Sequence, residues 1–117
     1  MTLAEIVFQQ KKLEQRYGVE GRVAGKYVEA GFHVRMHVQT RHGKVSFVAI
    51  KGSEKYAVDV IVEKRTVNKA DVETLLSKAK SLGARPVLVL YGAGPKLSEE
   101  ALATVKESGV VVKRIRD

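Results

Sequence analysis

Apolar residues recur along this chain with two different periods, and each change of period marks an element. Thr2 followed by Glu5 makes a capping-box pattern, and Leu3, Ile6, Val7 and Leu13 supply an incomplete apolar stripe, which predicts a helix over residues 3–17. Gly18 interrupts it. Val19, Val23, Ala24, Tyr27 and Val28 then share one side of a second helical stretch, with Gly31 where a left-handed cap would end it. From Phe32 the period shortens to two, and FHVRMHVQT, KVSFVAIK and KYAVDVIVEK, separated by RHG and GSE, read as three strands ending at Lys64. Turns this short predict an antiparallel meander.

Helical spacing returns after Asn68, a capping residue, with Val72, Leu75, Leu76, Ala79 and Leu82 in register and Gly83 as the stop. The strand PVLVLY comes next, and a helix placed between two strands is the usual crossover between parallel neighbours. Ser98 caps a last helix that ends at Gly109, and VVVKRI closes the chain as a strand. The predicted order is αβββαβαβ. The continuous apolar run of PVLVLY calls for cover on both faces, so the expected fold is α/β, a mixed central sheet flanked by helices. A chain of 117 residues builds one core, and residues 1–117 are read as one domain.

Composition adds a preference for an anionic partner. Twenty-one Lys and Arg against 13 Asp and Glu give a net charge of +8, and counterion release from a phosphate backbone puts nucleic acid first. The absence of cysteine excludes disulfides, thiolate metal sites and a cysteine nucleophile, and agrees with a reducing cytoplasm. The opening MTLAEIVFQQKKLEQRYG lacks a long apolar core, so neither a signal peptide nor a membrane span is expected there.

Basic residues suggest where nucleic acid would lie. Lys11, Lys12, Arg16, Arg22 and Lys26 run along the first two helical stretches, with Arg22 and Lys26 four apart on one face. His33, Arg35 and His37 alternate along the first strand and are expected to share a face, with Arg41, His42 and Lys44 at the next turn. A solvated helix face is the alternative for the first group. Aromatic residues are few and Trp is absent, which disfavours a base-stacking platform and favours backbone and shape recognition of duplex or branched DNA. His33 and His37 lack the cysteine or carboxylate that would complete a zinc site. YGAGPKLS has the glycines of a phosphate cradle, yet it fits no complete phosphate-binding pattern, and ordinary turn chemistry accounts for it.

Over roughly residues 18–91 the chain resembles the archaeal Holliday-junction resolvases of the PD-(D/E)xK nuclease superfamily. Glu20 precedes Gly31-Phe32 by one helix, and KVSFVAIKGSEKYAVDVIV is similar to the strand, turn and strand that carry the metal ligands. DVETLLSKAKSLGARPVLVLYG resembles the segment that comes after those strands in the family. GPKLSEEALATVKESGVVVKRI is similar instead to Mrr-type members. The resemblance implies a restriction-endonuclease-like fold, a homodimer, and a magnesium-dependent centre built from Glu20, an aspartate on the second strand and Glu-x-Lys on the third.

Two of those four groups are missing. Ser46 stands at the aspartate position and Ile61 at the lysine, leaving Asp59 as the carboxylate of the third strand. No Asp or Glu occurs between Ala30 and Ser53, so no shift of alignment restores the second-strand ligand. Asp59 interrupts an apolar strand, where a carboxylate needs either a metal or a cationic partner. Glu20 is either a ligand or a favourable charge in a first helical turn. Glu63 shares strand parity with Asp59 and, with Lys64, is either a displaced acid and base or the solvated exit of the strand.

The expectation is a DNA-binding, dimeric, cytoplasmic protein of nuclease fold without catalysis and without a cofactor. The alternatives are a divergent Mg-dependent endonuclease using Glu20, Asp59 and in one version Glu63, with a lysine from elsewhere, and a non-catalytic subunit of a nuclease or repair assembly. A partial likeness to the C-terminal domain of tRNA-splicing endonucleases lacks the expected histidine before Ala57, which argues against RNA cleavage.

Overall fold

The computed structural model describes residues 1–116. Two helices, α1 (Leu3–Tyr17) and α2 (Val19–Glu29), precede the strands β1 (His33–Thr40), β2 (Gly43–Lys51) and β3 (Glu54–Ile61). After these come β4 (Thr66–Val67), α3 (Lys69–Ser81), β5 (Arg85–Tyr91), β6 (Lys96–Leu97), α4 (Glu99–Ser108) and β7 (Val111–Ile115). The main sheet has the order β1-β2-β3-β5-β7. Its first three strands form the antiparallel meander, and β3, β5 and β7 are parallel. No helix among the described residues is long and apolar enough to cross a membrane.

The local signals act as their chemistry requires. Thr2 and Glu5 close a reciprocal capping box, Asn68 and Asp71 close a second, and Ser98 accepts the Ala101 N–H. These caps satisfy amides that a helix start leaves without partners. Gly109 ends α4 in the left-handed conformation, at φ 76°.

The sheet is covered on both faces. On one side Val23 and Ala24 of α2 meet Phe47, Ala49, Val58 and Val60. On the other, Ala79 of α3 meets Val45, Val48 and Ala57, while Leu75 and Ala101 meet Leu88 and Leu90. Burial from two sides explains why β5 is an unbroken apolar run.

Several expectations are corrected. The third strand ends at Ile61, not Lys64, so Glu63 lies beyond the strand, outside its alternation; it is 71% exposed and pairs with Arg65. Two short strands, β4 and β6, are additional and pair with each other. His33, Arg35 and His37 do not share a face. His37 has φ 51°, a conformation uncommon outside glycine, and the His37–Ser46 pair is missing from the β1–β2 ladder. The twist there turns the imidazole onto the α2 side, against Tyr17 and Glu20.

Helices α1 and α2 form an antiparallel hairpin around Gly18, and two glycines set how closely they approach. A β-carbon on Gly21 would lie 2.0 Å from the Leu13 carbonyl oxygen, and one on Gly25 would lie 3.1 Å from the Gln10 side chain. Gln10 donates to the Gly25 carbonyl oxygen across this contact.

Candidate functional site

Strands β2 and β3 are paired from Lys51–Glu54 as far as Phe47–Val58 and then part, while β3 continues alongside β5 to Ile61–Leu90. At the fork two side chains replace backbone rungs. The Ser46 N–H donates to Asp59 Oδ1 at 3.0 Å, and the Val60 N–H donates to Ser46 Oγ at 3.0 Å. A serine suits this place because its hydroxyl reaches a neighbouring main-chain amide.

Asp59 points toward α3, where Lys78 closes the fork. Lys78 Nζ lies 2.6 Å from Asp59 Oδ2 and donates also to the Lys44 carbonyl oxygen at 3.0 Å. The two side chains are only 11% and 17% exposed, so this ion pair is largely withdrawn from water. Both carboxylate oxygens are engaged, one by an amide and one by an ammonium. The arrangement is charge-neutral and holds two strands and a helix together at one point.

Lys78 is the residue that the sequence pattern left unremarked. It lies three residues after Leu75 and directly before Ala79, both fully buried, so it falls on the inward face of α3. A lysine there requires an acidic or carbonyl partner. Asp59, interrupting an apolar strand in the same way, is that partner.

The remaining candidate acids lie elsewhere. Glu20 Oε1 is 2.9 Å from His37 Nε2, half-exposed on the α2 side of the sheet, and the Tyr17 ring meets the imidazole edge-on. Among the described residues no three His, Asp or Glu side chains converge as metal ligands do. Divalent magnesium requires several oxygen ligands with open coordination positions. Of Ser46, Asp59 and Ile61 only Asp59 carries a carboxylate, and its two oxygens are bonded by the Ser46 amide and the Lys78 ammonium.

The basic candidates divide between two surfaces. Arg41 and Lys44 are exposed at the β1–β2 turn, beside the fork, and His42 there lies along Ala70, Thr74 and Ser77 of α3. Arg22 and Lys26 are on the outer side of α2, across the sheet, and Arg35 is exposed on β1. Lys12 and Arg16 turn instead toward the rings of Phe8 and Tyr17. The glycines of YGAGPKLS belong to a structural joint: Arg114 donates to the carbonyl oxygens of Gly92 and Pro95, and Gly94 lies close to the backbone of Lys64.

No family model matches the sequence, and no curated protein is significantly similar to it. Solved structures do match. A repair endonuclease from Pyrococcus abyssi superposes with a TM-score of 0.59 at 17% identity, over 92% of this chain and 46% of that one. The structure of an EndoMS complex with double-stranded DNA gives 0.57 at 17% identity, over 78% and 39%. SfsA of Pyrococcus furiosus in complex with Ca2+ gives 0.60 at 13% identity, over 91% and 57%. The chain thus spans about half the length of the structures it resembles. The order of elements, the mixed sheet and these superpositions give one result: the chain has the restriction-endonuclease-like fold.

Proposed function

We propose that this chain is a DNA-binding protein of the nuclease fold that has lost metal-dependent cleavage, a single domain over residues 1–117 acting as a cytoplasmic homodimer on duplex or branched DNA. The observation that carries this reading is the closed fork, where Lys78 and the Ser46 amide occupy both oxygens of Asp59. The net charge of +8 supports an anionic partner. The likeness to a repair endonuclease and to a protein solved on double-stranded DNA supports DNA in particular. Arg41 and Lys44 beside the fork are the first phosphate contacts to test, then Arg22, Lys26 and Arg35.

One observation favours a second reading, a divergent endonuclease. Lys78 brings an amine to Asp59 from α3, in the region where Ile61 replaces the expected lysine. That reading still lacks a second carboxylate at the fork.

The test incubates the purified protein with a labelled four-way junction and with duplex DNA, with Mg or Mn and with chelator, reading binding and cutting together. Salt-sensitive binding without cutting supports the proposal. Replacing both Arg41 and Lys44 by Ala is then expected to reduce the slope of log affinity against log salt by about two for each protomer in contact with the DNA. Metal-dependent cutting abolished by Asp59→Ala establishes the endonuclease instead, and neither binding nor cutting favours a subunit of a larger assembly.

A further inference from the structure

We propose that the open groove between α1 and β1 receives a second copy of this chain, each copy's α1 lying antiparallel against the other's about a two-fold axis. This deepens the dimeric part of the proposed function and does not depend on DNA binding.

Helix α1 touches the rest of the fold chiefly through α2, and none of its residues is buried. Between it and the start of β1 runs a groove of about 930 Å³. Met1 and Phe8 line that groove and are 73% and 64% exposed. Val34 and Met36 form the opposite wall. Beyond it β1 is an edge strand, paired with β2 alone among the described residues. An apolar face of this kind on a small charged domain marks an interaction site.

Charge decides against DNA as the occupant. The groove carries Glu5 and Glu29 against Lys12 and Arg16, a balanced set on a chain of net charge +8. A polyanion gains little there. Two copies of a strongly basic chain repel each other over most of their surfaces, and a locally neutral apolar patch is where they approach at least cost.

The order of residues along α1 identifies the partner as a second copy. An antiparallel helix pair about a two-fold axis matches positions whose numbers have a constant sum, because the interface is isologous. With the axis between Gln10 and Lys11, Glu5 meets the partner's Arg16, Phe8 meets the partner's Leu13, and Gln9 meets the partner's Lys12. All six positions line the groove. Across this axis the acidic Glu5 finds a basic residue and the exposed Phe8 finds an apolar one. Glu5 and Arg16 are eleven residues apart, about 16 Å of helix, so the two ion pairs would bracket the Phe8–Leu13 contacts and the polar Gln9–Lys12 pairs between them.

The experiment is sedimentation equilibrium on the full chain and on four variants, with circular dichroism confirming that each is folded. Phe8→Glu is expected to raise the dimer dissociation constant by about a hundredfold or more. Arg16→Glu alone weakens the dimer by placing Glu against Glu, and the double variant Glu5→Gln, Arg16→Glu relieves that repulsion while Gln keeps the capping box with Thr2. Leu102→Glu, at an exposed leucine on α4, leaves the dimer unchanged. A chain that is monomeric at every concentration overturns both the inference and the dimeric reading. A dimer that survives Phe8→Glu, or one broken by Leu102→Glu, overturns the inference and leaves the dimeric reading intact. A dimer that responds as expected supports the inference whether or not DNA binds.

Discussion

Replacing Lys78 by Met tests whether the ion pair at the fork is a structural lock. The substitution keeps the aliphatic stem of the side chain and removes only the ammonium, leaving Asp59, 17% exposed, without its counter-charge. Breaking a buried pair from one side costs about 3–5 kcal/mol, because the remaining charge is stranded away from water. A domain of this size has roughly 5–15 kcal/mol of stability in total, so the loss is a large fraction of it. It corresponds to a fall in Tm of roughly 10–25 °C. Replacing both partners, Asp59→Asn with Lys78→Met, removes both charges while keeping an acceptor for the Ser46 N–H. That double variant is expected to recover about 2 kcal/mol or more relative to the sum of the two single losses. The assay is urea unfolding at neutral pH monitored by circular dichroism, arranged as a double-mutant cycle. If Lys78→Met costs less than about 1 kcal/mol, or the two losses simply add, the pair is not holding β2, β3 and α3 together and the reasoning fails.

Three further outcomes are expected. Gly21→Ala is expected to loosen α1 from α2, because its β-carbon would lie 2.0 Å from a backbone oxygen, while Gly25→Ala meets only a flexible glutamine side chain and costs less; limited proteolysis within α1 ranks the two, and equal protection refutes the close-approach argument. His37→Gly and His37→Ala both lose the contacts to Tyr17 and Glu20, but only glycine accepts φ 51° without strain, so chemical unfolding should find the glycine variant more stable by about 1 kcal/mol. The Tyr27 hydroxyl is buried without a hydrogen-bond partner among the described residues, so Tyr27→Phe is expected to raise stability by about 1 kcal/mol, a gain visible in the same unfolding experiment. Burial also raises the Tyr27 pKa, with Tyr56 adding to the effect; the folded state therefore holds this proton more tightly, its contribution is complete below the ordinary tyrosine pKa of about 10, and it is lost as pH rises toward the folded value, so Tyr27→Phe should flatten the alkaline decline in stability.

Much of the architecture is written in local patterns. The capping box at Thr2, the caps at Asn68 and Ser98, Gly109 and the period-two runs on either side of RHG and GSE each act within a few residues, and the structure has a helix or strand at each, the third strand ending three residues short of its pattern. Strand alternation is a poorer guide at His37 because one residue in the left-handed region reverses the facing of its neighbours along the strand. Glu63 resembles a partner of Asp59 only while the strand is extended to Lys64. Gly21 and Gly25 are legible as a spacing of four, but their purpose depends on α1 folding back so that Leu13 and Gln10 meet them.

The candidate site divides along the same line. Sequence by itself put Ser46 and Ile61 where the resemblance leads one to expect an acid and a lysine, and made Asp59 a carboxylate in an apolar strand that must have a partner. Only the tertiary structure decided which partner it has, because Lys78 comes from nineteen residues away, on a helix that crosses over the sheet. It also decided that Glu20 pairs with His37 on the other face, away from that fork. A sequence records what chemistry each position carries; whether two such positions meet depends on burial and crossover geometry, since a charge withdrawn from water takes whichever counter-charge the packed core brings within reach.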